Sequence, residues 1–253
     1  MSTRMRPLPL SPPRWLRTPP HALQQRSFEP ELLDAEDIDR EALWQNLREL
    51  ELINHRLGGY APTLKGLSAL MAGAERSRCW HILDVGCGGG DTLAVIADWA
   101  KAKQIRVKLS GVDLLPDCIA YAKAHQAHHD IAWHACAYEE YGLDDTDTPD
   151  IIISSLFCHH LDTAQFQHFL RWTKTSARLG FVINDLHRHP LAYYGIGVLT
   201  HLLSRSELVK NDAALSVWRG FSRQELRTAL AQAGLRAQIH WDWAFRWRVM
   251  GLI

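Results

Sequence analysis

The 253-residue chain has no formal net charge, no long apolar run and no closely spaced pair of cysteines. A neutral chain lacks the excess of basic residues with which nucleic-acid-binding proteins neutralise phosphates. Two glycines and a histidine interrupt the longest apolar run, residues 191–203, which is shorter than the ~20 residues of a membrane-spanning helix. Because the five cysteines show no C-x-x-C spacing, we expect reduced thiols in the cytoplasm and neither a disulfide framework nor a metal site.

The first 27 residues differ in composition from the rest of the chain. They contain five arginines, six prolines and no acidic residue. Because proline breaks helices, we expect a flexible or extended arm over residues 1–27, with an organelle-targeting peptide as the less favoured alternative.

Residues 28–75 are predicted to form an N-terminal helical cap. Leucines including Leu43 and Leu47 recur at helical spacing, with Asp37 or Asp39 as the expected N-cap and Gly58 at the end. A second short helix is predicted over residues 62–71. The segment 54–60 between them is expected to cover the ligand site of the domain that follows.

From residue 76 onwards, apolar runs typical of strands alternate with helical segments. Strands are predicted at 81–85, 107–112, 131–134, 150–155 and 181–183. This alternation indicates a doubly wound, Rossmann-like α/β sheet over residues 76–253. After the fifth strand, residues 190–220 are expected to form a lid, and a capped helix and a strand hairpin complete the domain.

The most informative stretch is ILDVGCGGGD at 82–91, an apolar strand that ends in an acid and a run of glycines. Glycines let the backbone turn sharply and approach a ligand, and the amides at the start of the next helix face that ligand. A dinucleotide fingerprint needs a small residue where Asp91 stands, and a P-loop needs a Gly-Lys-Ser/Thr that is missing. Asp84 opposes a phosphate and suits a cationic or zwitterionic ligand.

The pattern D-x-G-x-G-x-G, from Asp84 to Gly90, resembles motif I of the class I S-adenosylmethionine (SAM) methyltransferases. The resemblance implies a seven-stranded sheet of the class I methyltransferase fold, with SAM as cofactor and S-adenosylhomocysteine (SAH) as product. It also implies that Asp84, Gly86, Cys87 and Gly88 contact SAM.

Further SAM contacts are predicted at the ends of the next strands. Asp113 ends the second strand, where a carboxylate can hold a ribose diol; a helix-capping aspartate is the alternative. The third strand lacks the Gly-Asp-Ala usual in the family. The resemblance then implies that adenine is held by the backbone amides of Ala137 and Tyr138 and by apolar contact with Leu114. Ser154, on the fourth strand, is assigned to the same site.

Histidines follow the fourth and fifth strands, at the edge of the sheet that is expected to face the substrate. The two histidines after the fourth strand resemble the His-His form of motif IV in the ubiquinone/menaquinone methyltransferases. The resemblance implies that His159 or His160 borders the substrate. Local packing of these histidines is the alternative. His187 is the favoured base, and Asp185 either orients it or forms an ion pair with Arg188. A base is needed only where the acceptor must lose a proton.

These motifs predict a SAM-dependent methyltransferase of secondary metabolism. The expected acceptor is a small hydrophobic or phenolic molecule such as a quinone, polyketide or phenolic lipid, with O-methylation favoured over C-methylation. The apolar lid favours such an acceptor and leaves shallow membrane contact open. Nucleic acid is not an expected partner, and the sequence does not fix the oligomeric state.

Two other functions compete with this prediction. A SAM-binding module without turnover is disfavoured by the intact glycine loop together with Asp113. An NAD-linked oxidoreductase is disfavoured by Asp84 and Asp91, because both carboxylates oppose a pyrophosphate.

Overall fold

The computed structural model describes residues 13–34, 38–73, 78–142 and 148–253. Seven strands form one sheet in the order β3-β2-β1-β4-β5-β7-β6, in which β7 runs antiparallel to both of its neighbours. The strands are β1 Cys79–Val85, β2 Arg106–Asp113, β3 Ile131–Ala135, β4 Ile151–Ser155, β5 Gly180–Leu186, β6 Gln238–Asp242 and β7 Arg246–Leu252. The predicted fold class, a doubly wound seven-stranded sheet, is confirmed.

The α-helices of the described residues alternate with the strands as predicted. They are α1 Arg14–Arg17, α2 Arg40–Leu57, α3 Ala61–Leu70, α4 Asp91–Ala102, α5 Pro116–His125, α6 Thr163–Ser176, α7 Pro190–Leu203, α8 Glu207–Arg219 and α9 Arg223–Gln232. Of these, α1 and α8 were not predicted as helices. None of these helices is long and apolar enough to cross a membrane.

Alternating side chains of the buried strands divide the core into two layers. Ile82 and Val182 pack with α3 and α4, whereas Leu83 packs with α6 and α9 on the opposite face. Because helices cover both faces, the parallel strands read as nearly continuous apolar runs. A Cβ on Gly66 of α3 would lie 2.6 Å from Val182, so the missing side chain lets α3 approach β5 closely.

The predicted helical cap consists of α2 and α3. The Asp39 side chain accepts a hydrogen bond from a backbone amide of the first turn, and Gly58 ends α2 in the left-handed conformation with φ 69°. Leu43 and Leu47 pack against α5. Asp37, the other expected N-cap, lies outside the described residues.

Residues 13–27 are not the flexible arm that their composition predicted. This segment packs against α7 and α8, the helices of the predicted lid. The Tyr193 hydroxyl donates to Thr18 Oγ1 at 2.9 Å, and the Arg188 guanidinium donates to the Leu23 carbonyl at 2.9 Å. These contacts hold the proline-rich chain because they satisfy its carbonyls and bury Leu23. Residues 1–12 lie outside the described part of the chain.

Candidate active site

Three glycines with positive φ shape the loop between β1 and α4. Gly86, Gly88 and Gly90 have φ values of 70°, 51° and 78°. A Cβ on Gly86 would lie 2.4 Å from Phe157, and a Cβ on Gly90 would lie 2.3 Å from Trp133. Both the backbone conformation and the tight packing therefore require glycine at these two positions.

Asp113 lies beside this loop, at the carboxyl end of β2. Its carboxylate accepts from the Gly88 amide at 2.8 Å and from the Leu115 amide at 2.9 Å. A carboxylate offers about four lone-pair sites, so these two donors fix its position and leave capacity for a ribose diol. Leu114, the next residue, is 69% exposed and offers an apolar surface next to that position.

Asp84 is buried below the same loop, 1% exposed. Burial raises its pKa well above the ordinary range, and the neighbouring carboxylates Asp91 and Asp113 raise it further. The raised pKa favours the protonated form of Asp84 in the free protein. A cationic ligand would favour its ionised form.

The junction of α2 and α3 covers this acidic pocket, as expected for the segment 54–60. The Tyr60 hydroxyl donates to Asp91 Oδ2 at 2.7 Å. The Arg246 guanidinium, from β7, donates to Asn54 Oδ1 at 2.8 Å. Asn184, from β5, donates to the Gly59 carbonyl at 2.7 Å. The pocket thus lies between the strand ends and the helical cap.

Three buried polar atoms at this pocket have no hydrogen-bond partner among the described residues: Asp84 Oδ1, Asn184 Oδ1 and Arg246 Nη1. An unsatisfied buried polar group costs about 1–3 kcal/mol, so the set fits a ligand that supplies the partners. Burial lowers the pKa of Arg246 to about 10, and its guanidinium therefore stays cationic at neutral pH. The amino-acid end of SAM carries an ammonium for the two oxygens and a carboxylate for the guanidinium.

Sequence reasoning missed Asn184 and Arg246 as candidate ligand contacts. An arginine in the apolar last strand was an available signal, because a buried charge needs a partner. The partner itself could not be predicted, because Asn54 and Arg246 are far apart in the sequence.

The structure brings His159 and Asp185 together, as a buried pair at the ends of β4 and β5. The His159 Nδ1 atom lies 2.8 Å from Asp185 Oδ1, and the His159 amide donates to Asp185 Oδ2 at 3.2 Å. Burial lowers the pKa of His159, which favours the neutral imidazole, and the carboxylate 2.8 Å from Nδ1 assigns the donated hydrogen to that nitrogen. Burial would raise the pKa of Asp185, but its contacts with His159 and the Leu186 amide lower it.

His187 is not part of this pair, which corrects the prediction that Asp185 orients it. The backbone amide of His187 is hydrogen-bonded to the hairpin of β6 and β7. The Nδ1 atom of His187 accepts from Trp241 Nε1 at 3.2 Å. Burial, followed by the charges of His189 and Arg188, lowers the pKa of His187 to about 4. The alternative prediction, an ion pair of Asp185 with Arg188, is also wrong, because the Arg188 guanidinium binds Glu225 instead.

Glu31, from the N-terminal segment, lies next to His159 and His160 and was not predicted as a site residue. Its Oε1 lies 3.8 Å from His159 Nε2, and its Oε2 lies 3.9 Å from His160 Nε2. The Ser216 hydroxyl of α8 donates to Glu31 Oε1 at 2.9 Å. Burial raises the pKa of Asp113, and the nearby His160 opposes that rise. His160 therefore lies on the side of the site that carries Asp113.

The remaining predicted contacts lie at the ends of β3 and β4. The Cys136 amide donates to the Asp113 carbonyl at 3.1 Å, which holds Ala137 and Tyr138 next to the end of β2. Ser154 is buried, and its hydroxyl lies 3.7 Å from Cys158 Sγ. Ser154 therefore faces α6 rather than the side of the sheet that carries Asp84. That packing does not fit the cofactor role predicted for it.

The sheet order with an antiparallel β7 is that of the class I methyltransferase fold. Residues 82–178 match the family described as "Methyltransferase domain". With this match, the fold and the glycine loop indicate that residues 82–178 belong to a SAM-dependent methyltransferase domain. No curated protein matches the sequence.

Several solved methyltransferases share the fold at low sequence identity. A SAM-dependent methyltransferase from Aquifex aeolicus is 18% identical over 86% of this chain and 100% of its own, with a TM-score of 0.59. The plantazolicin methyltransferase BamL, solved with a triazolic desmethylPZN analog and SAH, is 14% identical over 80% and 79%, with a TM-score of 0.60. The magnesium protoporphyrin IX methyltransferase ChlM from Synechocystis PCC 6803, solved with SAM, is 11% identical over 86% and 99%, with a TM-score of 0.53.

Proposed function

We propose that this methyltransferase transfers the methyl group of SAM to an oxygen of a small hydrophobic or phenolic molecule. The observation that carries the proposal is the group of Glu31, His159 and His160, supported by Asp185, next to Asp113. An oxygen nucleophile of this kind must lose a proton, and polar side chains at the pocket support that step.

The donor would be held by residues of four strands. Asp84 and Asn184 would accept from its ammonium, Arg246 would bind its carboxylate, and Asp113 would bind the ribose, with adenine against Leu114. Bound SAM would supply a methyl group on its sulfonium, for in-line displacement by the acceptor oxygen with SAH as the leaving group. The contribution of the protein is alignment, because holding both reactants in line removes much of the entropic barrier.

The acceptor would lie between the donor and the lid. The helices α7 and α8 are rich in apolar and aromatic residues, which favours a hydrophobic ring or chain. On the outer face of α7, Leu191, Val198 and Leu202 are exposed at helical spacing, which supports shallow contact with a lipid-like acceptor or its membrane. A phenol has a pKa near ~10, so it requires help to ionise at neutral pH.

The proposal is tested by incubating the purified protein with methyl-labelled SAM and a metabolite extract. We expect the label in a small aromatic or lipid-like product, as a methyl ether that survives mild base. Label on carbon would favour C-methylation, the second candidate. Label only in protein or nucleic acid would contradict the proposed acceptor class.

A further inference from the structure

We propose that Glu31, His159 and His160 form a binding site for a divalent transition-metal ion such as Zn²⁺ or Co²⁺. One oxygen of Glu31 and one ring nitrogen of each histidine all lie within 4.8 Å of one another. Two imidazoles and one carboxylate are a ligand set that binds Zn²⁺, Fe²⁺ and Co²⁺.

The orientation of His159 supports a cation at this position. Its Nδ1–H is donated to Asp185, so Nε2 carries a lone pair, and this nitrogen lies 3.8 Å from Glu31 Oε1. Two acceptors that face each other repel, and this separation is too long for a hydrogen bond. Ligand atoms about 2.0–2.2 Å from a tetrahedral ion lie roughly 3.4 Å apart, so small side-chain shifts would close the site. A carboxylate behind a ligating histidine is a frequent feature of metal sites.

The nearby charges indicate which ions would bind. Arg219 Nε lies 3.8 Å from Glu31 Oε1, and the guanidinium donates to the carbonyls of His159 and His160. Because this positive charge opposes any cation, affinity must come largely from the imidazole nitrogens. That requirement favours Zn²⁺ or Co²⁺ over Mg²⁺ or Ca²⁺, which prefer oxygen ligands.

The role of the ion in catalysis rests on the proposed function. An acceptor hydroxyl bound to the ion would lose its proton to solvent, because a metal lowers the pKa of a bound hydroxyl. The new O–CH₃ bond then forms as the S–CH₃ bond of SAM breaks, and that electron pair stays on sulfur as SAH leaves. In this arrangement His159 is a metal ligand and Asp185 a positioning residue.

The test is titration of the full chain with Co²⁺ after treatment with a chelator. We expect about one equivalent of bound Co²⁺, with a visible spectrum typical of nitrogen ligands. Glu31→Gln and His160→Gln are each expected to weaken binding roughly 10-fold or more. His168→Gln is the matched control, because His168 Nε2 also lies 3.4 Å from a carboxylate, that of Glu139, but on the surface. Unchanged affinity in His160→Gln, or loss in His168→Gln alone, would overturn the site.

Two further measurements keep the test decisive. Anomalous diffraction from wild-type crystals soaked in Co²⁺ should locate the ion between Glu31 and His160; an ion bound elsewhere, or none, would refute the proposal even if the variants do not fold. SAH binding is measured on the same samples. A chain that binds SAH but no Co²⁺ refutes the metal site alone, and a chain that binds Co²⁺ but no SAH refutes the proposed function alone.

Discussion

Three carboxylates close to one another determine the electrostatics of the candidate donor site. Asp84, Asp91 and Asp113 are drawn together by the glycine loop, and burial raises the pKa of each. A phosphate would disfavour the ionised forms of these carboxyls further, whereas a sulfonium compound with an ammonium group would favour them. The choice between a dinucleotide and SAM therefore depends on these side chains.

Removing the Asp113 carboxylate should weaken cofactor binding. We expect Asp113→Ala to lower the affinity for SAH by ~1–3 kcal/mol, because the ribose hydroxyls lose a buried partner. Isothermal titration calorimetry measures the change. Asp117→Ala is the control, since Asp117 lies in the first turn of α5 and pairs with Arg40 on the surface. Equal affinity in the wild type and Asp113→Ala would remove the ribose contact.

Binding of SAM should release a proton from Asp84. Its raised pKa favours the protonated carboxyl in the free protein, and a cation next to it favours the ionised form, so affinity should rise with pH. At one pH, the heat of binding should be more exothermic in Tris than in phosphate, because Tris takes up the released proton exothermically. Asp84→Asn should abolish the difference. Identical heats for the wild type in both buffers would contradict the assignment.

His187 should make the protein less stable as the pH falls. Its pKa is about 4 in the folded state against an ordinary 6.5, so between these values the unfolded chain binds a proton that the folded chain does not. The free energy of unfolding therefore decreases as the pH falls from 6.5 to about 4. Urea denaturation should show a smaller decrease for His187→Gln than for the wild type. His240→Gln, an exposed histidine of β6, is the control, and equal slopes for the wild type and His187→Gln would rule the effect out.

At the scale of elements, close packing of α3 on β5 positions the helical cap over the candidate site. Gly66 faces Val182 at this contact, and the same helix carries Thr63, whose hydroxyl accepts from Asn184 at 3.1 Å. A displacement of α3 would therefore move groups that line the pocket.

Gly66→Ala tests this contact. The added methyl gains up to ~1 kcal/mol of helix propensity but overpacks the core, which typically costs 1–3 kcal/mol. We expect a net loss of about 1 kcal/mol in the free energy of unfolding, measured by urea denaturation. Val182→Ala combined with Gly66→Ala should recover part of it, and Ser68→Ala, an exposed position of α3, should not destabilise. A more stable Gly66→Ala variant would contradict the close contact of 2.6 Å between the added Cβ and Val182.

Periodicity and caps predicted most elements, since they depend on local sequence. The capping box of α9 at Ser222 and the cap at Asp39 are examples. The prediction of a flexible N-terminal arm was wrong for residues 13–27, because the order of this segment depends on distant partners. Arg188 and Tyr193 hold it in place, and composition alone does not reveal them.

At the scale of the whole molecule, the sheet brings residues from distant parts of the chain to one edge. Asp84, Asp113 and Asp185 end parallel strands, so their convergence could be predicted from the strand order. Glu31 and Arg246 enter from the N-terminal segment and from the antiparallel last strand. Neither Glu31 nor Arg246 follows a parallel strand, so the strand order does not predict their place in the site.

The pocket beside the glycine loop should bind SAM rather than a dinucleotide. Calorimetric titration of the wild-type chain with SAH and, separately, with NADH distinguishes the two ligands. We predict saturable binding of SAH at one site and no heat with NADH. Binding of NADH without binding of SAH would contradict the account.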